Sequence, residues 1–205
     1  DVLLLSDEVW EHVAFDGRAH VPIASMPGMQ ERTVKIGSAG KIFSLTGWKV
    51  GWIVAAPPIA RLIARAHQFL TFTTPPNLQH AVAYGLGKEA GWFAAQAADY
   101  ARSRDRLAAG LTAAGYVVGE SEGTYFFSVD LAASGIPLAG ADFCERSVRE
   151  AGVAAIPMSA FFVNGGAEHL VRLCFAKQDD TLDAAVERLA AFRRELRGST
   201  RPGSG

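Results

Sequence analysis

Apolar residues come in short unbroken runs early in the chain and in helical stripes later. Val2 to Leu5 is one such run, ending in Ser6-Asp7-Glu8. A run without polar alternation suits a strand of a parallel sheet covered on both faces. Thr33 to Ile36 and Val50 to Ala55 are two further β-type runs, placed on either side of a polar loop. After Pro57-Pro58, which suit a helix start, Ile59, Leu62, Ile63, Ala66 and Phe69 recur at helical spacing. Gln79 to Gly87 continues as helix. A longer helical pattern from Gly91 to Ala114 carries Phe93, Ala97, Tyr100, Leu107 and Leu111, and stops at Gly115.

The texture changes after Gly115. Tyr116 to Val118, Thr124 to Leu131, Val153 to Ile156 and His169 to Phe175 read as strands. Helices over Ala141 to Ala151 and Thr181 to Leu196 are interleaved with them. In the last helix Leu182, Val186, Leu189 and Phe192 form one stripe. The pattern therefore predicts a mixed α/β chain: a first unit at 1–90, a connecting helix at 91–114 and a second unit at 115–197. Residues 198–205 are rich in Gly, Ser and Pro and are expected to be disordered. No internal repeat is visible. The chain opens on an apolar run without a Met, so truncation or processing is the expectation.

Composition narrows the class without naming a function. A length of 205 residues allows one large domain or two small ones. The chain is 49% hydrophobic and 20% charged, which fits a soluble globular protein. A formal net charge of −1 makes no electrostatic case for nucleic acid or an anionic membrane. The longest apolar stretch, Val50 to Ala60, is too short for a membrane span and holds two prolines. No signal peptide is visible. Cys144 and Cys174 lack CxxC spacing, which argues against a metal site or disulfide framework and makes the cytoplasm the expected location. Cys174 alternates within a strand-like run, so a buried, inert thiol is expected.

The candidate chemistry concentrates in Ser38-Ala39-Gly40-Lys41-Ile42-Phe43-Ser44-Leu45-Thr46-Gly47-Trp48-Lys49-Val50-Gly51-Trp52. Taken alone, Lys41 reads as a solvated side chain. Its context reads otherwise: Gly40 permits close backbone approach, and strands bound the loop. A second cation nearby, here Lys49, and partial desolvation favour a neutral amine, which a Schiff-base lysine needs. Ser38 and Lys49 can converge on a phosphate, although turn chemistry and surface charge are their plainer readings. Asp7 follows a strand, where ligands of open α/β sheets bind, but a turn or helix cap is equally open to it. Arg172 sits within the apolar run 169–175, where a guanidinium calls for an anion; an edge-strand arginine paired to a surface acid is the alternative. Glu8, Glu11 and His12 lack metal-ligand spacing and read as structural or surface groups. His80 reads as packed or exposed. Phe43, Trp48 and Trp52 read as core and loop-anchoring aromatics.

Four landmarks in order carry a resemblance: Ser6-Asp7-Glu8-Val9-Trp10-Glu11-His12, the Lys41 loop, Gly123-Thr124-Tyr125-Phe126-Phe127, and Val171-Arg172-Leu173-Cys174-Phe175-Ala176. Together they resemble the class I/II aminotransferases, and within them the kynurenine, methionine and N-succinyldiaminopimelate group of fold-type I enzymes. The resemblance runs through the chain up to its tail and covers only the C-terminal part of such an enzyme. It implies the end of the large cofactor domain followed by the small C-terminal domain, with pyridoxal 5'-phosphate (PLP) as cofactor. It implies that Asp7 binds the pyridine nitrogen, that Ser38 and Lys49 hold the phosphate, and that Lys41 carries the cofactor as a Schiff base and shuttles a proton. Arg172 would grip the substrate α-carboxylate, with Tyr125 and Phe161 lining the small-domain side. The implied reaction moves an amino group between an amino acid and a 2-oxo acid, in a parent that is a homodimer.

Two departures stand out. Trp10 takes the place of the family's usual tyrosine, whose hydroxyl contacts the cofactor. The family's earlier half, with its own phosphate loop and ring-stacking aromatic, has no place before residue 1. A carbon–sulfur β-lyase on the same fold and a catalytically silent fragment therefore stand as the other readings.

Overall fold

The computed structural model describes residues 2–198. Apart from Gly198, which ends the last helix, the tail expected to be disordered lies outside the described residues. The chain divides into two compact units, residues 1–97 and 98–205.

In the first unit β1 (Leu4–Asp7), β2 (Thr33–Ser38) and β3 (Gly51–Val54) form a sheet in that order. β1 runs parallel to β2, with Asp7 opposite Ile36, and β3 returns antiparallel, with Gly51 opposite Ser38. Parallel pairing demands a long crossover. Residues 8–32 supply it, with 3-10 turns at Ile23–Ser25 and Gln30–Arg32. The carboxyl ends of β1 and β2 therefore share one edge of the sheet. The opening run is not covered on both faces as expected. Leu4 is half-buried while Leu5 is 68% exposed, because the pleat sends alternate side chains to opposite faces.

Helix α1 (Ala39–Ile42) is a single turn between β2 and β3. α2 (Pro57–Leu70) starts on its two prolines, where the missing N–H has no intrahelical partner to lose. None of its side chains is buried, and Phe69 is 85% exposed. α3 (Pro76–Leu86) starts at its own proline pair, three residues before the expected Gln79. The packed centre of the loop region is Ala39, Val50 and Val82, with Phe43, Trp52 and Leu78 against it.

α4 (Ala90–Ala113) runs across the boundary between the units. It ends as a Schellman motif: Gly115, at φ 86°, donates to the Thr112 carbonyl and Tyr116 donates to that of Leu111. In the second unit β4 (Val117–Val118), β5 (Phe126–Asp130), β6 (Ile156–Pro157) and β7 (Leu170–Cys174) form an antiparallel sheet in the order β4-β5-β7-β6. β5 starts later than the apolar pattern predicts, because Thr124 has a φ of 71°, outside the strand region. Of the stretch 153–156, only Ile156 joins the ladder. α5 (Gly140–Arg146) continues into a π-helical turn over Ser147–Ala151, and α6 (Asp179–Gly198) closes the unit. Leu107 and Leu111 of α4, Phe127 and Val129 of β5, Val171 and Leu173 of β7, and Leu182, Leu189 and Phe192 of α6 are all buried.

Cys174 is not the buried thiol that its strand-like run predicts. β7 turns Val171 and Leu173 into the core, so the residue of opposite parity, Cys174, is exposed. The buried thiol is Cys144 on α5, and burial pushes it up to about 11. Among the described residues no helix is long and apolar enough to cross a membrane.

Candidate active site

The loop after β2 folds onto itself. Ser38 is still extended, at φ −146° and ψ 121°, and the chain then enters the single turn of α1. Ser44 and Lys49 both take left-handed backbone, at φ 55° each, and the second of these turns the chain into β3. Three contacts close the loop: Ala39 N–H donates to the Val50 carbonyl at 3.0 Å, Phe43 N–H to the Ala39 carbonyl at 2.9 Å, and the Thr46 hydroxyl to the Gly40 carbonyl at 3.1 Å. Gly40 lets the backbone approach closely in this closure. A Cβ there would sit 3.0 Å from Thr46 Cα and 3.3 Å from Ser38 Oγ. Gly37 is required by its cross-strand partner, since a Cβ would meet the Trp52 ring at 2.3 Å.

The apolar residues of the loop anchor it, with Ala39, Ile42 and Val50 buried. The loop also walls a cavity of about 420 Å³, with Val9, Ile36 and Val50 as its apolar lining. Ser38, Lys41, Thr46 and Lys49 contribute to the wall, together with glycines 37, 40 and 51. Two ammonium groups, two hydroxyls and glycine backbone around one space suit an anionic ligand such as a phosphate. Lys41 is half-buried, and its Nζ lies 5.2 Å from the centroid of the Trp10 ring.

Asp7 stands apart from this wall. It is exposed at the carboxyl end of β1, and its carboxylate accepts the Val9 N–H at 3.3 Å. It shares the sheet edge with Ser38, because it pairs with Ile36 in parallel register. The structure thus gathers Ser38, Lys41 and Lys49 on one cavity, brings Trp10 to Lys41, and leaves Asp7 at the same edge. Phe43 and Trp52 anchor the loop as expected; Trp48 does not, being 40% exposed on its 3-10 turn.

Arg172, in the second unit, is half-buried on β7. Its guanidinium carbon lies 4.2 Å from the centroid of the Phe126 ring and 4.9 Å from that of Phe161. Tyr125 points its ring at Phe126 edge-on, at 5.8 Å between centroids, and tilts against Tyr100 at 6.3 Å.

Glu8 is no surface group. It is 5% exposed and accepts hydrogen bonds from Ser6 Oγ at 3.0 Å and Ile23 N–H at 3.1 Å, with His20 Nε2 at 2.9 Å. Burial alone would raise this carboxyl, but those bonds and the nearby Lys35 charge outweigh it and hold it below the usual range. The ligand atoms of Glu8, Glu11 and His20 lie within 4.8 Å of one another, as in a metal site. Lys35 occupies that role instead: its ammonium pairs with Glu11 and lies 3.6 Å from Glu8. Neither His20 nor Lys35 shows a spacing that would have linked it to Glu8 in the sequence. His12 stacks on Phe93 at 4.2 Å, and burial pushes its imidazole below the ordinary range.

A cavity walled by two lysines and two hydroxyls, at the carboxyl edge of a parallel strand pair, has the donors to hold an anionic ligand. The family model for aminotransferase class I and II matches residues 1–189, and the chain belongs to that family. PLP is the cofactor of this family. The chain is 41% identical over 201 residues to a probable N-succinyldiaminopimelate aminotransferase, DapC, of Mycobacterium tuberculosis, covering 94% of this chain and 50% of that protein. It is 40% identical over 189 residues to the methionine aminotransferase of Escherichia coli, covering 92% and 49%. The solved structure of N-succinyldiaminopimelate aminotransferase from M. tuberculosis superposes with a TM-score of 0.88 at 43% identity, over 92% of this chain and 49% of that one. The chain therefore spans about half the length of the curated relatives it matches.

Proposed function

We propose that this chain is the C-terminal part of a PLP-dependent aminotransferase that moves an amino group between an amino acid and a 2-oxo acid. The observation that carries the reading is the convergence of Ser38, Lys41 and Lys49 on one cavity. The donor set fits the cofactor's phosphate end: a hydroxyl, an ammonium and glycine-rich backbone offer donors to an anion. PLP, when bound, supplies the electron sink on which amino transfer depends.

The chain's own residues do the rest in this reading. Ser38 and Lys49 bind the phosphate. Lys41 is the amine that carries the cofactor and moves a proton at the substrate α-carbon. Asp7, at the shared edge of β1 and β2, pairs with the protonated pyridine nitrogen. Trp10 flanks the Lys41 amine. Arg172 binds the α-carboxylate through its planar fork. The reading extends to a homodimeric full-length protein in the cytoplasm, and the bare apolar side of α2 supports burial of that helix against further polypeptide.

The test is to incubate the chain with PLP, reduce with borohydride and map the modified peptide by mass spectrometry. The expected result is a phosphopyridoxyl group mainly on Lys41. Labelling spread evenly over Lys35, Lys49, Lys88 and Lys177 would overturn the assignment of Lys41. In the full-length protein, L-methionine and 2-oxoglutarate are a first substrate pair, methionine being the amino acid in one relative's name. Ammonia and pyruvate released from a cysteine conjugate without any 2-oxo acid would indicate a β-lyase instead.

A further inference from the structure

We propose that Phe126 and Phe161 are positioning residues that hold the Arg172 guanidinium by its faces and leave its N–H edge for a carboxylate. The inference rests on the reading of Arg172 as the α-carboxylate binder. β7 is an inner strand, with β5 on one side and β6 on the other. Arg172 pairs with Ser128 of β5 and Ile156 of β6. Its parity is opposite to that of buried Val171 and Leu173, so it stands on the other face of the sheet.

The two rings reach it from the two flanking sides. Phe126 lies on β5, two residues before Ser128 and so on the same face. Phe161 ends the 3-10 turn Met158–Phe161 that follows β6. The guanidinium carbon is over both rings, at 4.2 and 4.9 Å from their centroids. Among the described residues no carboxylate pairs with Arg172. Among the described residues, aromatic surface alone thus holds this cation, and its donors stay unused. Stacking suits the flat guanidinium and restricts its rotation while the fork stays available. It also gives a use to Phe161, which is otherwise an apolar ring left 56% exposed.

The experiment uses the full-length protein loaded with PLP, with L-methionine and 2-oxoglutarate as probes. Phe161→Leu and Phe126→Leu are each expected to raise KM for both substrates about tenfold, with kcat within about twofold and borohydride labelling of Lys41 unchanged. Phe161→Tyr, which keeps the ring, is expected to restore the original KM. Arg172→Leu separates the two claims. If it leaves KM unmoved, the carboxylate reading itself fails. If it raises KM while both leucine variants do not, Arg172 binds carboxylate without its rings and the present inference is overturned. A fall in kcat alone, with KM unchanged, would also overturn it. Phe161 is exposed, so its leucine variant is expected to fold even if that of Phe126 does not.

Discussion

The Nζ atom of Lys41 lies 5.2 Å from the centroid of the Trp10 ring. Trp10 follows β1 and Lys41 follows β2, and the parallel pairing of those strands brings their ends together. A ring that close attracts an ammonium by about 0.5–1 kcal/mol at a partly exposed site. Replacing Trp10 with Leu removes the aromatic face beside the Lys41 amine. At limiting PLP, borohydride labelling of Lys41 is expected to fall in Trp10→Leu, which loses the aromatic wall that orients the amine. Trp10→Phe should retain most of it. Equal labelling in all three proteins would deny Trp10 any part in holding Lys41.

Gly40→Ala tests the closure of the loop. In an ordinary helix position alanine would be favoured over glycine by about 1 kcal/mol. Here the added Cβ meets backbone, 3.0 Å from Thr46 Cα. The expected outcome is a lower melting temperature and weaker capture of PLP at Lys41. A more stable variant with unaltered labelling would show that the Gly40–Thr46 approach has slack.

The two thiols should behave differently. Cys174 is exposed, whereas Cys144 is buried and its thiol is pushed up to about 11, so little thiolate forms at neutral pH. Iodoacetamide at pH 8 is expected to alkylate Cys174 in the folded chain and to reach Cys144 only after denaturant is added. Peptide mapping after a timed quench reads this directly, and early modification of Cys144 would contradict the packing of α5.

Glu8 should make the first unit acid-sensitive. Its carboxyl is held below the ordinary value, so its contribution is fully present above the unfolded glutamate value of about 4.3 and fades as pH falls through the lower folded one. Glu8→Gln keeps the shape but not the charge. It is expected to lose about 1–3 kcal/mol at pH 7 and to flatten the stability profile between roughly pH 5 and 3. Thermal melts of both proteins across that range check it; parallel profiles would mean that Glu8 titrates alike in both states.

Local signals made several features of this chain legible. Proline pairs mark the starts of α2 and α3, Gly115 marks the end of α4, and the stripe through Leu182, Leu189 and Phe192 lies buried as its period predicts. The loop 38–52 could be picked out because glycine, lysine and hydroxyl residues cluster between two apolar runs, and the convergence of Ser38, Lys41 and Lys49 followed from that proximity. Thr46 was missed within the same loop, since nothing in its spacing shows that its hydroxyl closes on the Gly40 carbonyl.

What the sequence by itself determined is what depends on neighbours along the chain: helix period, turn residues, the polar loop and membership in a family. Tertiary structure alone decided which face of a strand meets the core. Cys174 and Leu173 are adjacent and both suited to burial, yet one residue of parity exposes the first and buries the second. It alone joined Glu8 to His20 and Lys35, and Arg172 to Phe126 and Phe161. The physical reason is the same in each case. These contacts arise from strand order and register, which are set by the packing of whole elements against one another and leave no mark in the spacing of the residues that meet.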